Sequence, residues 1–214
     1  LGAEWQQAFE HMAEAERQLE AHCKGVVWER DGSRLYQFFC LEMMGGLEHF
    51  VDRLPHLLDE AVQRGDLLYT TNWKLWSYRG HLAMDDPDRA RRVLDSAISD
   101  FGQESFLIQH LWHLVGAVNS ELYQARPDRA VRLLEDRRQP LKSSLLLQNN
   151  MIAIFYHDLE MRTGLGLARS LEKARAQKKA FNHAEKHMRA LEKLEHPLSS
   201  VMVMMARAQI AWSS

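Results

Sequence analysis

The sequence predicts an all-α fold, an α-α superhelix (solenoid) of about ten helices with a period of about 40 residues. Three observations carry that reading. The segment Asp86-Pro87-Asp88-Arg89-Ala90-Arg91-Arg92-Val93-Leu94 returns as Arg126-Pro127-Asp128-Arg129-Ala130-Val131-Arg132-Leu133-Leu134, with the two prolines 40 positions apart. A weaker third copy lies one period upstream, around Gly46-Leu47-Glu48-His49-Phe50 and Leu54. Elsewhere apolar residues recur at i, i+3, i+4 and i+7, and no segment sustains the alternation of a half-buried strand. One helical pair cannot bury its apolar stripe alone, so such pairs are expected to stack. Residues 1–214 are read as a single domain, and Leu1 in place of Met as the start of a fragment of a larger protein.

The first helix is expected from Ala3 to Cys23, ended by Gly25. The second runs from Trp28 to Met44, with Asp31-Gly32-Ser33 expected to break or delay it because glycine costs about 1 kcal/mol relative to alanine. The third carries Phe50, Leu54, Leu57, Leu58 and Ala61, kinked at Pro55. The fourth spans Leu67 to Ala83. In the fifth, Asp86 caps, Pro87 fits the first turn, and Ala90, Val93, Leu94, Ala97, Ile98 and Phe101 form the stripe up to a stop at Gly102. Ser105 is the expected cap of the sixth, which runs to Ala125. The seventh repeats the motif and stops near Pro140, and the eighth runs from Leu141 to Thr163. Gly164 and Gly166 are expected to break the chain. A long polar ninth helix follows from Arg169 to Glu195, and Pro197 precedes a tenth that starts at Ser199 or Ser200 and ends at Trp212.

A net charge of −2 gives no overall drive toward nucleic acid or an anionic membrane. No apolar run reaches the roughly 18 residues of a membrane span, and no signal peptide is visible. Cys23 and Cys40 are the only cysteines and form no Cys-x-x-Cys pattern. That argues against a disulfide framework and a structural zinc site, and points to a reducing, cytoplasmic setting.

His81-Leu82-Ala83-Met84-Asp85-Asp86-Pro87-Asp88-Arg89-Ala90 resembles the turn between the two helices of a tetratricopeptide (TPR) repeat, and Ala90, Leu94 and Ala97 match the small-large-small spacing of its second helix. The period of 40 instead of 34 and the lack of a Trp-x-x-Leu-Gly-x-x-Tyr signature make the array TPR-like. A second resemblance covers most of the chain. Cys23-Lys24-Gly25-Val26-Val27-Trp28-Glu29, Leu57-Leu58-Asp59-Glu60-Ala61 before Arg64-Gly65-Asp66, Gln109-His110-Leu111-Trp112 and Lys142-Ser143-Ser144-Leu145-Leu146-Leu147 look like the C-terminal TPR-like region of large bacterial eukaryotic-type serine/threonine protein kinases. The resemblance implies a non-catalytic helical array that follows a kinase domain in the parent.

Motifs that spell chemistry lack their context. Asp100-Phe101-Gly102 has no Gly-rich loop, strand lysine or His-Arg-Asp loop before it. Gly164-Leu165-Gly166 lacks a third glycine and a preceding strand. His183 and His187 stand i, i+4, a spacing that can hold a metal, but without His-Glu-x-x-His they are assigned to a solvated helix face. His110 and His113 are assigned to a core or groove. The basic ninth helix is interleaved with glutamates, which reads as a solvated face, and the six tryptophans read mainly as core. No metal and no cofactor is expected.

The expected function is a non-catalytic protein-interaction or regulatory module, the accessory arm of a bacterial serine/threonine kinase. It would hold a protein, a peptide or another domain of its own parent in a groove. Arg79, Gln109, His110, Asn119, Asn149 and Asn150 are the candidate groove residues, paired by the 40-residue step. Alternatives are the sensor or oligomerisation arm of an ATPase-type transcriptional regulator, and a free-standing adaptor. The apolar last helix is expected either to pack on the ninth or to form a homodimer contact through Met204, Met205 and Trp212.

Overall fold

The computed structural model describes residues 4–99, 101 and 105–213. The helices are α1 (Trp5–His22), α2 (Val27–Met44), α3 (Glu48–Asp52), α4 (Leu54–Gln63), α5 (Leu67–Ala83) and α6 (Pro87–Ser99), then α7 (Ile108–Tyr123), α8 (Pro127–Ser143), α9 (Asn150–Ser170), α10 (Ala174–Glu192) and α11 (Pro197–Ser213). A short 3-10 turn, Leu146–Gln148, precedes α9, and no strand occurs among the described residues. The fold is all-α, and sequential helices pack as neighbours along the chain. Helices α5, α7 and α9 also touch one another directly, with α6 and α8 packed outside the joints.

The repeated motif works as its residues dictate. Asp86 Oδ1 accepts the Arg89 amide at 2.9 Å, which satisfies one of the orphan donors of α6. Ala90, Leu94 and Ala97 are buried against α5, and Ala130 and Leu134 repeat that contact between α8 and α7. Small residues set the helix spacing. Gly164 on α9 sits where an added Cβ would lie 3.0 Å from Ala184 Cβ and 3.1 Å from the Ala180 carbonyl oxygen.

That contact explains one correction. Gly164 and Gly166 do not break the chain, because α9 runs through both to Ser170. The helical cost of glycine is offset by the close approach of α10 that it permits. The predicted ninth helix therefore starts later, as α10 at Ala174. Pro140 does not stop α8 either. The proline lies in the last turn on the exposed side, and Leu141, predicted to open the next helix, is buried and anchors that turn. Leu145, at φ +62°, makes the turn toward α9.

Four smaller differences concern where helices begin or continue. Helix α2 passes straight through Asp31-Gly32-Ser33, since Asp31 is a buried ion-pair partner. Helix α7 starts at Ile108, not at a Ser105 cap, and the Leu107 amide donates to His110 Nδ1 at 3.1 Å. Helix α11 opens on Pro197, ahead of the predicted serines. Pro55 ends up in the first turn of α4, after a break at Arg53. Asp100 and Gly102, and the helix stop assigned to Gly102, lie outside the described residues.

Helix α1 packs Phe9 and Trp5 inward and is tied to its neighbours by charge as well. Buried Glu16 accepts from Arg34 Nε at 2.5 Å and from Gln37 Nε2 at 2.6 Å, and pairs with Arg53 Nη2 at 2.9 Å. Arg34 reaches on to Glu60 on α4 at 2.8 Å and to Glu20 at 2.9 Å. Burial alone would raise the Glu16 carboxyl. The Gln37 and Arg34 hydrogen bonds and the Arg53 and Arg34 charges outweigh it and hold the group below its ordinary value of 4.5.

Two predictions follow from this packing. A carboxyl lowered in the folded state contributes stability that is complete above its unfolded value and is lost as pH falls through the folded one. Urea unfolding at successive pH values should therefore show stability falling below about pH 4.5, with E16Q flattening part of the fall; an unchanged profile in E16Q would exclude the role. The second concerns Gly164. G164L should cost about 3 kcal/mol by forcing α9 off α10, measured as a lower urea midpoint, and a wild-type midpoint would rule out the close contact.

Candidate functional site

Four helices, α2, α5, α7 and α9, meet on one shared face. Each contributes one aromatic ring there. Phe39 lies 6.3 Å from Trp76, Trp76 lies 6.4 Å from Trp112, and Trp112 lies 5.7 Å from Phe155. Phe155 returns to Phe39 at 5.8 Å, so the arc of helices closes on itself at this level. Trp5 on α1 extends the cluster at 5.6 Å from Phe39.

A chain of polar contacts runs beside these rings. Arg79 Nε donates to Glu42 Oε1 at 2.6 Å, and its guanidinium covers the rings of Trp76 and Tyr78 at 4.3 and 4.6 Å. Asn119 donates to the Tyr78 hydroxyl at 2.9 Å. Arg162 donates to Asn119 Oδ1 at 2.9 Å and to Asp158 Oδ2 at 2.7 Å. Arg79 and Asn119, two of the predicted groove residues, thus belong to one chain that crosses all four helices. Gln109 lies nearby, buried, and donates to Asn72 Oδ1 at 3.3 Å. His110 is buried between Phe101 and Phe106, away from this chain.

Asn149 and Asn150 stand apart from the rest. Asn149 caps α9, accepting the amides of Met151 and Ile152 at 3.0 and 3.3 Å, and both asparagines are exposed. The 40-residue step fails here because α8 runs past Pro140 and a loop follows. The structural partner of Trp112 is Phe155, so Asn119 aligns with Arg162.

A second cluster lies between α9 and α10. His183 and His187, assigned by spacing to a solvated face, are drawn inward: His187 is 6% exposed and His183 is half-buried. They meet His157 and Glu160 of α9. Glu160 is 2% exposed. Its Oε2 lies 2.9 Å from His183 Nε2, and its Oε1 accepts from the Tyr156 hydroxyl at 2.8 Å. Arg138 Nη2 stands 3.7 Å from Oε1. His157 Nδ1 lies 2.9 Å from His187 Nδ1.

Burial pushes His187 down to about 4. The Glu160 charge opposes that shift, and His183, His157 and Lys186 add to it. Burial also lowers His157. For Glu160 burial would raise the carboxyl, but the hydrogen bonds from His183 and Tyr156 hold it low. The cluster therefore favours an ionised Glu160 carboxylate beside neutral His157 and His187 rings. The signal that could have found it is the i, i+3 pair His157/Glu160 opposite the i, i+4 pair His183/His187, joined by the Gly164–Ala184 crossing.

The last helix divides its apolar residues between two faces. Val203 and Ala206 are buried against the α9–α10 pair. Met204, Met205 and Trp212 are exposed by 60, 68 and 93%, and Val201 lies on the same side. Arg207 pairs with Glu192 at 2.5 Å. Among the described residues no helix is long and apolar enough to cross a membrane. No family model, curated protein or solved structure matches the chain.

Proposed function

We propose that this chain is a TPR-like interaction module, the cytoplasmic accessory arm of a bacterial serine/threonine protein kinase, and that it acts by binding protein. The resemblance of its short segments supports the kinase context. The observation that carries the interaction reading is the outward stripe Val201, Met204, Met205 and Trp212 on α11. Contiguous exposed apolar surface of this kind marks interaction sites.

The occupant that fits this stripe is a second copy of the chain. Helix α11 carries one charged side chain, Arg207, and that is already paired within its own chain. Two such helices can face each other across a two-fold axis without opposing like charges. Flexible methionines fill the irregular gaps of such a contact, and Trp212 supplies a large anchor. The polar chain from Glu42 to Arg162 then stiffens the scaffold behind the interface, and a peptide laid along it would have to displace hydrogen bonds already made.

Sedimentation across a hundredfold concentration range should show a monomer–dimer equilibrium that M205E and W212E shift to monomer at least tenfold, while melting midpoints stay within a few degrees. A wild-type chain that stays monomeric throughout would sink the dimer. The kinase context has its own test, intact mass and N-terminal sequencing of the native protein, and a parent lacking a Gly-rich loop and a His-Arg-Asp segment upstream would remove it.

A further inference from the structure

The α9–α10 pair sets two side chains against two. His157 and Glu160 are three apart on α9, and His183 and His187 are four apart on α10, so each pair lies on one helix face. The ligand atoms of Glu160, His183 and His187 all fall within 4.8 Å of one another. Around a tetrahedral ion with bonds of about 2.0–2.2 Å, neighbouring ligand atoms stand roughly 3.3 Å apart. The 2.9 Å between Glu160 Oε2 and His183 Nε2 is close to that spacing, and rotation of the side chains closes the rest.

We propose that Glu160, His183 and His187 form a binding site for one divalent transition-metal ion of the zinc type, with a fourth coordination position left for solvent or a ligand. Two imidazoles and one carboxylate suit such ions, whereas Mg²⁺ and Ca²⁺ favour oxygen donors throughout. The surroundings match the role. The Tyr156 hydroxyl and Arg138 occupy the Oε1 side of Glu160, which leaves Oε2 toward the histidines. His157 Nδ1 lies 2.9 Å from His187 Nδ1; with His187 Nδ1–H as the donor of that bond, its Nε2 lone pair is left for the ion, the arrangement in which partners of metal-bound histidines hold them.

The ligands also sit on rigid supports. Both helices are locked by the Gly164 crossing, so little ordering is left for the ion to impose. The two cations nearby, Arg138 and Lys186, reduce the affinity relative to an all-anionic site without blocking it. A bound ion ties α9 to α10, the pair on which α11 packs.

The test uses the full chain, freed of any affinity tag and stripped with a chelator. Calorimetric titration with Zn²⁺ should give one equivalent bound, and Co²⁺ should develop the visible absorption of a four-coordinate nitrogen–oxygen site. H183A and E160Q should each weaken Zn²⁺ binding at least tenfold, and Zn²⁺ should raise the melting midpoint of the wild type but not of H183A. Should E160Q fail to fold, H183A decides alone, since that side chain is 38% exposed. Absence of uptake overturns the site, and so does uptake of equal strength in H183A, which would place the ion on other side chains.

Discussion

The rings of Phe39, Trp76, Trp112 and Phe155 are the contact on which the rest of the array depends. Each comes from a different helix, and together they bring α2 within ring contact of α9, although six helices separate them in the chain. Edge-to-face pairs of this kind add about 0.5–1.5 kcal/mol each beyond the area they bury. More important is what they forbid. Once the four rings meet, helices α5 and α7 have their inner faces set, and the outer helices α6 and α8 can only pack into the joints on the other side. The polar chain from Glu42 through Arg79 and Asn119 to Arg162 follows from the same constraint. Side chains beside the rings lose water, and each must find a partner on the neighbouring helix.

Much of this was legible in the sequence, for local reasons. The motif at Pro87 and Pro127 encodes its own first turn and buried small residues, so the starts of α6 and α8 are legible in the sequence. The errors fall where a distant element decides. Gly164 reads as a break because its neighbours in the chain are all that periodicity sees, while Ala184, twenty residues on, is what makes a glycine favourable there. Pro140 reads as a stop, yet Leu141 buries itself and holds the turn. The longer α8 and the loop after it move the register by three residues (155 − 112 = 43 against a step of 40), which is why the rings align Trp112 with Phe155 and the 40-residue pairing of Asn149 and Asn150 with Gln109 and His110 fails.

The histidine cluster illustrates the same limit in chemistry. Spacing identified His183 and His187 as capable of sharing a ligand, but half of the cluster is contributed by another helix. The i, i+3 spacing of His157 and Glu160 becomes informative only once α9 is known to face α10 at Gly164. The cysteine count argues against thiolate zinc sites, and it has no bearing on a site built from imidazoles and a carboxylate. What makes the cluster notable energetically is Glu160. An ionised carboxylate at 2% exposure needs nearly complete satisfaction, and here it receives a phenol, an imidazole and a cation at longer range. A divalent ion would complete that satisfaction on the Oε2 side.

The two ends of the helical stack solve the covering problem differently. Helix α1 turns Gln6, Glu10, Arg17 and Gln18 outward and seats Glu16 in a buried ion-pair network, so its outer face is polar. That is the character expected of a capping helix. Helix α11 instead puts methionines and a tryptophan outside. Two further features mark this end: α9 and α10 approach closely at Gly164, and they carry the imidazole cluster. A stiff hairpin under an adhesive helix is a better platform for association than the α1 end, where an approaching partner meets charges already engaged with one another. The asymmetry supports the proposal that association falls to the α9–α11 end, with α1 and α2 behind it, because the exposed apolar side chains gather on α11 while the outer face of α1 is polar.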